Sequence, residues 1–215
     1  MNNRHAFWLA LIVAVLVFWT GILLGVMLEK NRANKLQQFY YESETNIFDI
    51  LMQQDLLKGS KFCDLVIAEN IVFADKIYSE AKNLEKYDNA AKITSELIML
   101  HRRYDVLRVM LWNNIIQQED CFKNKTNVII YLYQYNNPSL EVKAKQSAMS
   151  KALLELKNKN GLSVILIPIA SDTDVKSMKI LKQKYNLTLT PMIFINSEHK
   201  ITEVTSVEEL EKYIQ

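Results

Sequence analysis

The longest uninterrupted apolar stretch runs from Ala6 to Leu28 and contains 23 residues without a charge. As an α-helix it would span roughly 35 Å, more than the hydrocarbon core of a bilayer, which is about 30 Å thick. Glu29 and Lys30 follow it, and there is no small-residue cleavage site of the kind that ends a secretory signal peptide. The pattern therefore predicts an uncleaved transmembrane anchor in residues 1–28, and a single-pass protein of the cell membrane.

Residues 29–121 contain no proline and a single glycine, and they show the periodicity of long helices. Apolar residues recur at alternating steps of four and three, which makes a stripe that must pack against another helix. Gly59-Ser60 and residues 87–89 are turn signals between three such stretches. We therefore expect a helical stalk, folded as a hairpin or three-helix bundle within one chain, or paired as a parallel coiled-coil dimer. The stripes of the second and third stretches are Phe62, Val66, Phe73, Ile77 and Leu84, and Ile93, Leu97, Leu100, Tyr104, Leu107 and Leu111.

Residues 122–215 alternate between short β-prone runs and helical stretches. The first two runs are continuously apolar, which is typical of strands buried on both faces. A helix joins strands one and two, so we expect them to be parallel, whereas a tight turn joins strands three and four, which should be antiparallel. The predicted order is β-α-β-α-β-β-α. The expected strands are 127–133, 162–170, 189–196 and 201–204, and the expected helices are 139–159 (Ala144, Ala148, Ala152, Leu153 and Leu156 inward), 174–185 and 207–214 (capped by Ser206).

This order and these lengths resemble the thioredoxin fold, from Asn124 to Gln215. The most specific piece is Thr190-Pro191 followed by Met-Ile-Phe-Ile-Asn, which looks like a signature of that family. The resemblance implies that the Thr190–Pro191 bond is cis and faces the site. It predicts an α/β thioredoxin-like domain preceded by an α-helical hairpin or bundle and one transmembrane helix. The whole layout is similar to small membrane-anchored thioredoxin-like proteins of archaea.

The sequence departs from this family at the residues that carry its chemistry. Redox-active members have a Cys-x-x-Cys motif where the first strand enters the first helix, and the helix dipole stabilises the thiolate there. If Pro138 matches the proline inside that motif, Asn137 and Leu140 take the two cysteine positions, and neither can form a disulfide. The resemblance therefore implies architecture and argues against an enzyme, so no catalytic residue is assigned.

A recognition groove is expected at the same place without redox chemistry. In related folds this surface binds extended peptide segments alongside the cis-proline. The residues expected to form the groove are Asn136, Asn137, Pro138, Thr190 and Pro191.

The chain has two cysteines, Cys63 and Cys121. If the stalk is an antiparallel hairpin, both thiols lie at its open end, and a disulfide would contribute about 4 kcal/mol by the chain-entropy estimate. The alternative is two unrelated buried thiols. A disulfide requires an oxidising compartment, which places the soluble part outside the cytoplasm. The basic residues Lys30, Arg32 and Lys35 after the anchor favour the opposite orientation by the positive-inside rule, and we side with the cysteines.

Charge and composition exclude other classes of site. The net charge of +2 gives no electrostatic footprint for nucleic acid. The three histidines lie in separate segments and the cysteines lack metal spacing, so neither a metal site nor a cofactor is predicted. Residues 101–103 are interpreted as a solvated helix face, and Asp172 and Asp174 as a turn and a helix cap. Gly21 and Gly25 form a Gly-xxx-Gly that would let two helices approach closely, so a homodimer through these glycines or through the stalk is one alternative; because glycine is common in membrane helices, no dimer is the other.

The leading hypothesis is a membrane-anchored, redox-inactive binding or scaffold protein. The first alternative is a thiol-disulfide oxidoreductase or chaperone that uses Cys63 and Cys121. The second is a structural coiled-coil partner subunit. The expected partners are the lipid bilayer and a protein or peptide.

Overall fold

The computed structural model describes residues 3–57, 62–88, 95–123 and 125–214. The chain divides into two compact units, Met1–Gln53 and Gln54–Gln215. The helices are α1 (Asn3–Leu57), α2 (Cys63–Asp88), α3 (Ser95–Gln117), α4 (Glu119–Phe122), α5 (Leu140–Asn160), α6 (Lys176–Lys184) and α7 (Val207–Glu211), and the strands are β1 (Asn127–Tyr133), β2 (Val164–Ala170), β3 (Met192–Ile195) and β4 (His199–Ile201).

The first unit contains all of α1 except its last residues, 54–57, which belong to the second unit. Its segment Phe7–Asn31 has a mean hydropathy of 2.7 and is long and apolar enough to cross a membrane. A Cβ added to Gly21 or Gly25 would meet nothing within 4 Å, so neither glycine packs against another segment among the described residues. The predicted turn at Gly59-Ser60 lies outside the described residues.

Helices α2 and α3 pack side by side in the second unit. Cys63 is bonded to Cys121, and Asn70 is hydrogen-bonded to Asn114. As the residue number rises along α2, the number of its partner on α4 and α3 falls. The helices are therefore antiparallel, which agrees with the predicted hairpin. Phe62, placed on the second stripe, is 71% exposed because it precedes the first turn of α2. The stripe residues that are buried are Val66, Phe73, Ile77, Leu100, Tyr104, Leu107 and Leu111. Of the predicted second turn, Asp88 ends α2 and Asn89 lies outside the described residues.

The second unit also contains a four-stranded sheet in the order β2-β1-β3-β4. β1 pairs with β2 in parallel, from Asn127 opposite Val164 to Tyr133 opposite Ala170. β3 is antiparallel to both β1 and β4. The predicted element order, the parallel pair and the antiparallel hairpin are confirmed.

Helices cover both faces of this sheet. On one face, α5 and α7 bury Met149, Leu153, Leu156 and Leu210 against the strands. On the other face, Trp112 of α3 packs against the rings of Tyr185 and Phe194, and α6 lies beside α3. The helical hairpin is thus continuous with the α/β layers, because α3 is itself one of the covering helices.

Ala144 and Ala148 were predicted to face inward on α5, but both are exposed. Met149, Leu153 and Leu156, at steps of four and three, define the buried face instead. The prediction was wrong because a methyl group buries little area, so the larger side chains decide which face turns inward. Alanine is also the best helix former, and it is common on exposed faces.

Several further boundaries differ from the sequence prediction: β2 begins at Val164 rather than Leu162, and α7 ends at Glu211 rather than Ile214. β3 begins at Met192 rather than Leu189, because Pro191 has no N–H to donate to a ladder. β4 occupies 199–201 rather than 201–204, because Asn196 and Ser197 adopt positive φ and turn the chain at once. Asp174 was predicted to cap α6, but the N-cap residue is Val175, whose side chain makes no capping hydrogen bond.

Candidate functional site

The loop between β1 and α5 (residues 134–139) lies at the same end of the sheet as the Thr190–Pro191 peptide bond. The β1–β3 ladder stops where Leu132 pairs with Met192. The chain leaves β1 into the loop at this end of the sheet, and it enters β3 from Pro191 at the same end. The proline is buried, whereas the two asparagines of the loop are exposed. The residues predicted to form the groove therefore lie at the same end of the sheet, and the Thr190–Pro191 bond is cis as predicted.

A side chain ends the β1–β3 ladder. Two residues further on, the antiparallel register would pair Gln134 with Thr190. Instead, the Gln134 N–H donates to Oε1 of Gln146 at 2.9 Å, and Nε2 of Gln146 donates to the Gln134 carbonyl at 3.0 Å. Within the described residues, no hydrogen bond engages the main-chain N–H or carbonyl of Thr190. Thr190 therefore presents an open donor and an open acceptor beside the groove loop.

The carboxylate of Asp172 holds the groove loop from the neighbouring strand connection. The main-chain N–H groups of Tyr135 and Asn136 donate to its two oxygens at 2.8 and 2.7 Å. Nδ2 of Asn136 donates in turn to the Asp172 carbonyl at 3.2 Å. Asp172 was interpreted from the sequence as a turn residue only, and its contact with the loop corrects that interpretation.

The two positions that match the family's cysteines carry no thiol chemistry. Asn137 adopts a φ of 46°, in the left-handed region that asparagine tolerates better than most residues. Ser139 caps α5 by accepting from the Val142 N–H at 3.2 Å. Leu140 begins that helix and is 90% exposed, an unusual amount for an aliphatic side chain.

Both cysteines lie away from this loop and are bonded to each other, as predicted. The Cys63–Cys121 disulfide joins the start of α2 to α4. Cys121 precedes the first residue of β1 by six positions, whereas the groove loop follows the last residue of β1. Beside it, Nζ of Lys125 donates to Asp64 at 2.8 Å. That hydrogen bond and the lysine charge lower the pKa of Asp64.

Helix α3 reaches the loops at the groove end through a buried carboxylate. Asp105 is 1% exposed and accepts hydrogen bonds from the Ala170 N–H at 3.1 Å and from Oγ1 of Thr173 at 2.8 Å. Nη1 of Arg108, one turn along, donates to it at 3.2 Å. Burial raises the pKa of Asp105, and the charge of Arg108 opposes that rise.

One turn earlier, α3 makes two more contacts with the same loops. The His101 and Tyr135 rings lie 4.2 Å apart between centroids, and Arg102 lies 3.9 Å from Asp174. The interpretation of residues 101–103 as a solvated face was therefore incomplete, because only Arg102 is exposed there.

A cavity of about 140 Å³ opens at the other end of the sheet, away from the groove. Its floor includes Trp112 and Phe122, and Lys123, His199 and Tyr213 line its wall. In the part of the chain that the structure describes, no group of three or more His, Cys, Asp and Glu side chains is arranged to hold a metal ion.

Sequence reasoning missed Gln146, Asp105 and the loop contact of Asp172. Asp105 had a signal, because it and Arg108 are charges three residues apart among stripe residues that are buried, namely Tyr104 and Leu107. Gln146 and Asp172 had no such sequence signal, since each forms hydrogen bonds with main-chain groups, which every residue type provides.

No family model matches this chain, and no curated protein sequence matches it. Among solved structures, it is similar to the solution structure of oxidised thioredoxin from Plasmodium falciparum. The two share 14% identity, and the match covers 46% of this chain and 92% of that one with a TM-score of 0.33.

Proposed function

We propose that this protein is a membrane-anchored, redox-inactive binding protein of the thioredoxin-like class, whose groove at Thr190–Pro191 holds an extended peptide segment. The class is supported by the element order and by the parallel and antiparallel strand pairs that the resemblance implies. The observation that carries the binding function is the open main-chain edge at Thr190.

Gln134 does not pair with Thr190, because Gln146 occupies its main-chain N–H and carbonyl. An extended segment beside Thr190 would supply the missing hydrogen-bond partners instead. Main-chain hydrogen bonds of this kind give affinity without regard to sequence, and side-chain contacts then give specificity. Two exposed aliphatic side chains lie next to predicted groove residues in the sequence: Leu189, 59% exposed, precedes Thr190, and Leu140, 90% exposed, follows Pro138 by two residues. The partner is therefore expected to be an extended segment with apolar side chains.

The arrangement of the thiols supports a redox-inactive site. The chain has two cysteines and both are in one disulfide, so no free thiol is available to attack a substrate. The groove positions are asparagine and leucine, and Cys121 is buried. The disulfide joins secondary-structure elements, which is the role that structural disulfides have in proteins of oxidising compartments.

The localisation rests on two features. The apolar part of α1 supports an anchor that crosses the bilayer once. The disulfide supports an extracytoplasmic position for residues 54–215.

Peptide binding is tested on the full-length protein in detergent micelles, with a membrane array of ten-residue peptides as the probe. Peptides captured by the wild type are then measured in solution by fluorescence anisotropy. Leu189→Asp should weaken their binding about tenfold, or about 1.4 kcal/mol. Leu162→Asp is the matched control, because Leu162 is equally exposed but precedes β2, at the opposite end of the sheet.

Equal losses in the two variants, or an array without captured peptides, would overturn the binding function. An insulin-reduction assay separates it from the oxidoreductase alternative. We expect the wild type to match the Cys63→Ser/Cys121→Ser double variant, and activity that Cys121→Ser abolishes would support the alternative.

A further inference from the structure

A series of contacts connects the groove loop to α3, which lies outside the predicted thioredoxin-like region. Its first step is the contact between Asp172 and the loop. Hydrogen bonds from two N–H groups to one carboxylate are charge-assisted and stronger than neutral ones. They fix the loop at Tyr135 and at Asn136, which is itself a predicted groove residue and is followed by Asn137 and Pro138.

The second step holds Asp172 itself. Asp105 binds the chain two residues before Asp172, through the N–H of Ala170, and one residue after it, through the hydroxyl of Thr173. Asp172 is exposed, so packing does not fix its position, whereas Thr173 and Ala170 are buried. The connection after β2 is therefore attached to α3 at both flanks of Asp172.

The third step is the rigidity of the attachment point. Asp105 is fully enclosed and Arg108 balances its charge from the same helix. The His101–Tyr135 and Arg102–Asp174 contacts add a second level of connection, one turn towards the start of α3. The two loops thus touch α3 on successive turns.

We infer that Asp105, Thr173 and Asp172 form a positioning unit, here named the α3 tether, through which α3 sets the geometry of the groove loop. The three residues act through the loop and are not expected to touch the ligand. The inference rests on the proposed function for its effect on peptide binding, but its effect on the loop is independent of any ligand.

Hydrogen exchange of main-chain amides in the full-length protein tests the tether without a peptide. Thr173→Val keeps the shape of the side chain and removes the hydroxyl, whereas Thr173→Ser keeps the hydroxyl and removes a methyl group. We expect the Tyr135 and Asn136 amides to exchange at least about fivefold faster in Thr173→Val, and to change less than twofold in Thr173→Ser. A role in packing alone predicts the reverse order, because valine fills the buried site and serine does not.

Substitutions at the other end of the tether give a second, independent measurement. Asp172→Ala should speed exchange at the same two amides. Asp120→Asn is the control, since Asp120 is an exposed carboxylate on α4, before the opposite end of β1. The inference is overturned if Asp172→Ala leaves both amides unchanged, or if Thr173→Ser speeds exchange as much as Thr173→Val.

Affinity for a captured array peptide separates this inference from the proposed function. Thr173→Val should weaken it about fivefold, with near wild-type affinity in Thr173→Ser. If no peptide binds the wild type, the proposed function fails while the exchange rates still decide the tether. If peptides bind but the two Thr173 variants bind equally well, the tether does not act on the groove and the inference is overturned.

Discussion

Gln146 binds Gln134 as a neighbouring strand would, with one side-chain amide that accepts from the main-chain N–H at 2.9 Å and donates to the carbonyl at 3.0 Å. Gln146→Ala should lower the free energy of unfolding by about 1–2 kcal/mol, since it removes two hydrogen bonds at a half-buried site. Gln146→Glu keeps the acceptor and loses the donor, so an intermediate loss is expected. Urea denaturation measures both, and Ser147→Ala, on the exposed side of the same turn, should change little.

The buried amides between α2 and α3 form a second polar system with a measurable role. Nδ2 of Asn114 donates to Asn70 at 2.8 Å, and Gln118 donates to Asn114 at 2.7 Å. Asn114→Ala would leave buried groups of both partners without hydrogen bonds, at a cost of about 2–4 kcal/mol. Asn113→Ala is the control, because Asn113 is the exposed neighbour on the same helix. A similar stability for the two variants would contradict the role given to this network.

Loss of the disulfide should destabilise the second unit without affecting the groove. Cys63 and Cys121 are 58 residues apart, for which the chain-entropy estimate is about 4 kcal/mol. Denaturation of the double serine variant and of the reduced wild type should give the same loss. Affinity for an array peptide should stay unchanged, because the disulfide lies at the other end of β1. A fall in affinity at temperatures where the variant remains folded would argue for a redox role.

The pKa of Asp105 predicts an unusual pH dependence of stability. Burial raises its folded pKa above the unfolded value, so the folded state holds that proton more tightly than the unfolded state does. The charged carboxylate therefore costs stability at neutral pH, and the cost is relieved as the pH falls through the folded pKa.

Asp105→Asn removes this titration while the other groups cancel in the comparison. The free energy of unfolding of the wild type should rise relative to the variant between pH 7 and pH 4. Asp64 and Asp174, whose pKa values are lowered by hydrogen bonds to lysine, lose their contributions in acid in both proteins. If the difference in the free energy of unfolding between wild type and Asp105→Asn stayed constant with pH, Asp105 would have the same pKa in the folded and unfolded states, and the prediction would be wrong.

Membrane sidedness is tested by thiol labelling of intact cells with an impermeant maleimide. An extracytoplasmic disulfide predicts no labelling before reduction and labelling of Cys63 and Cys121 after treatment with an impermeant phosphine. Labelling only after the cells are lysed would place residues 54–215 in the cytoplasm.

Much of the α/β region follows from the sequence because burial on both faces produces continuous apolar runs, and β1 was predicted at its observed bounds. Hydrophobic pattern also located α5, but not its inward face, which depends on side-chain size as well as period. The groove end was located through Pro191 and the β1–α5 junction. The contacts that shape it were not predicted, because Asp172 and Asp105 meet partners 36 to 68 residues away and no periodic signal records such pairs.

The disulfide also decides what a cut in the chain would do. In the oxidised protein, the covalent path from α1 to β1 passes from Cys63 directly to Cys121. Cleavage of the backbone at any point between these two residues therefore leaves the sheet covalently attached to α1. For a cut within this segment, the sheet would separate from α1 only if the disulfide were also reduced, so a protease acting on the hairpin could nick this protein without dividing it.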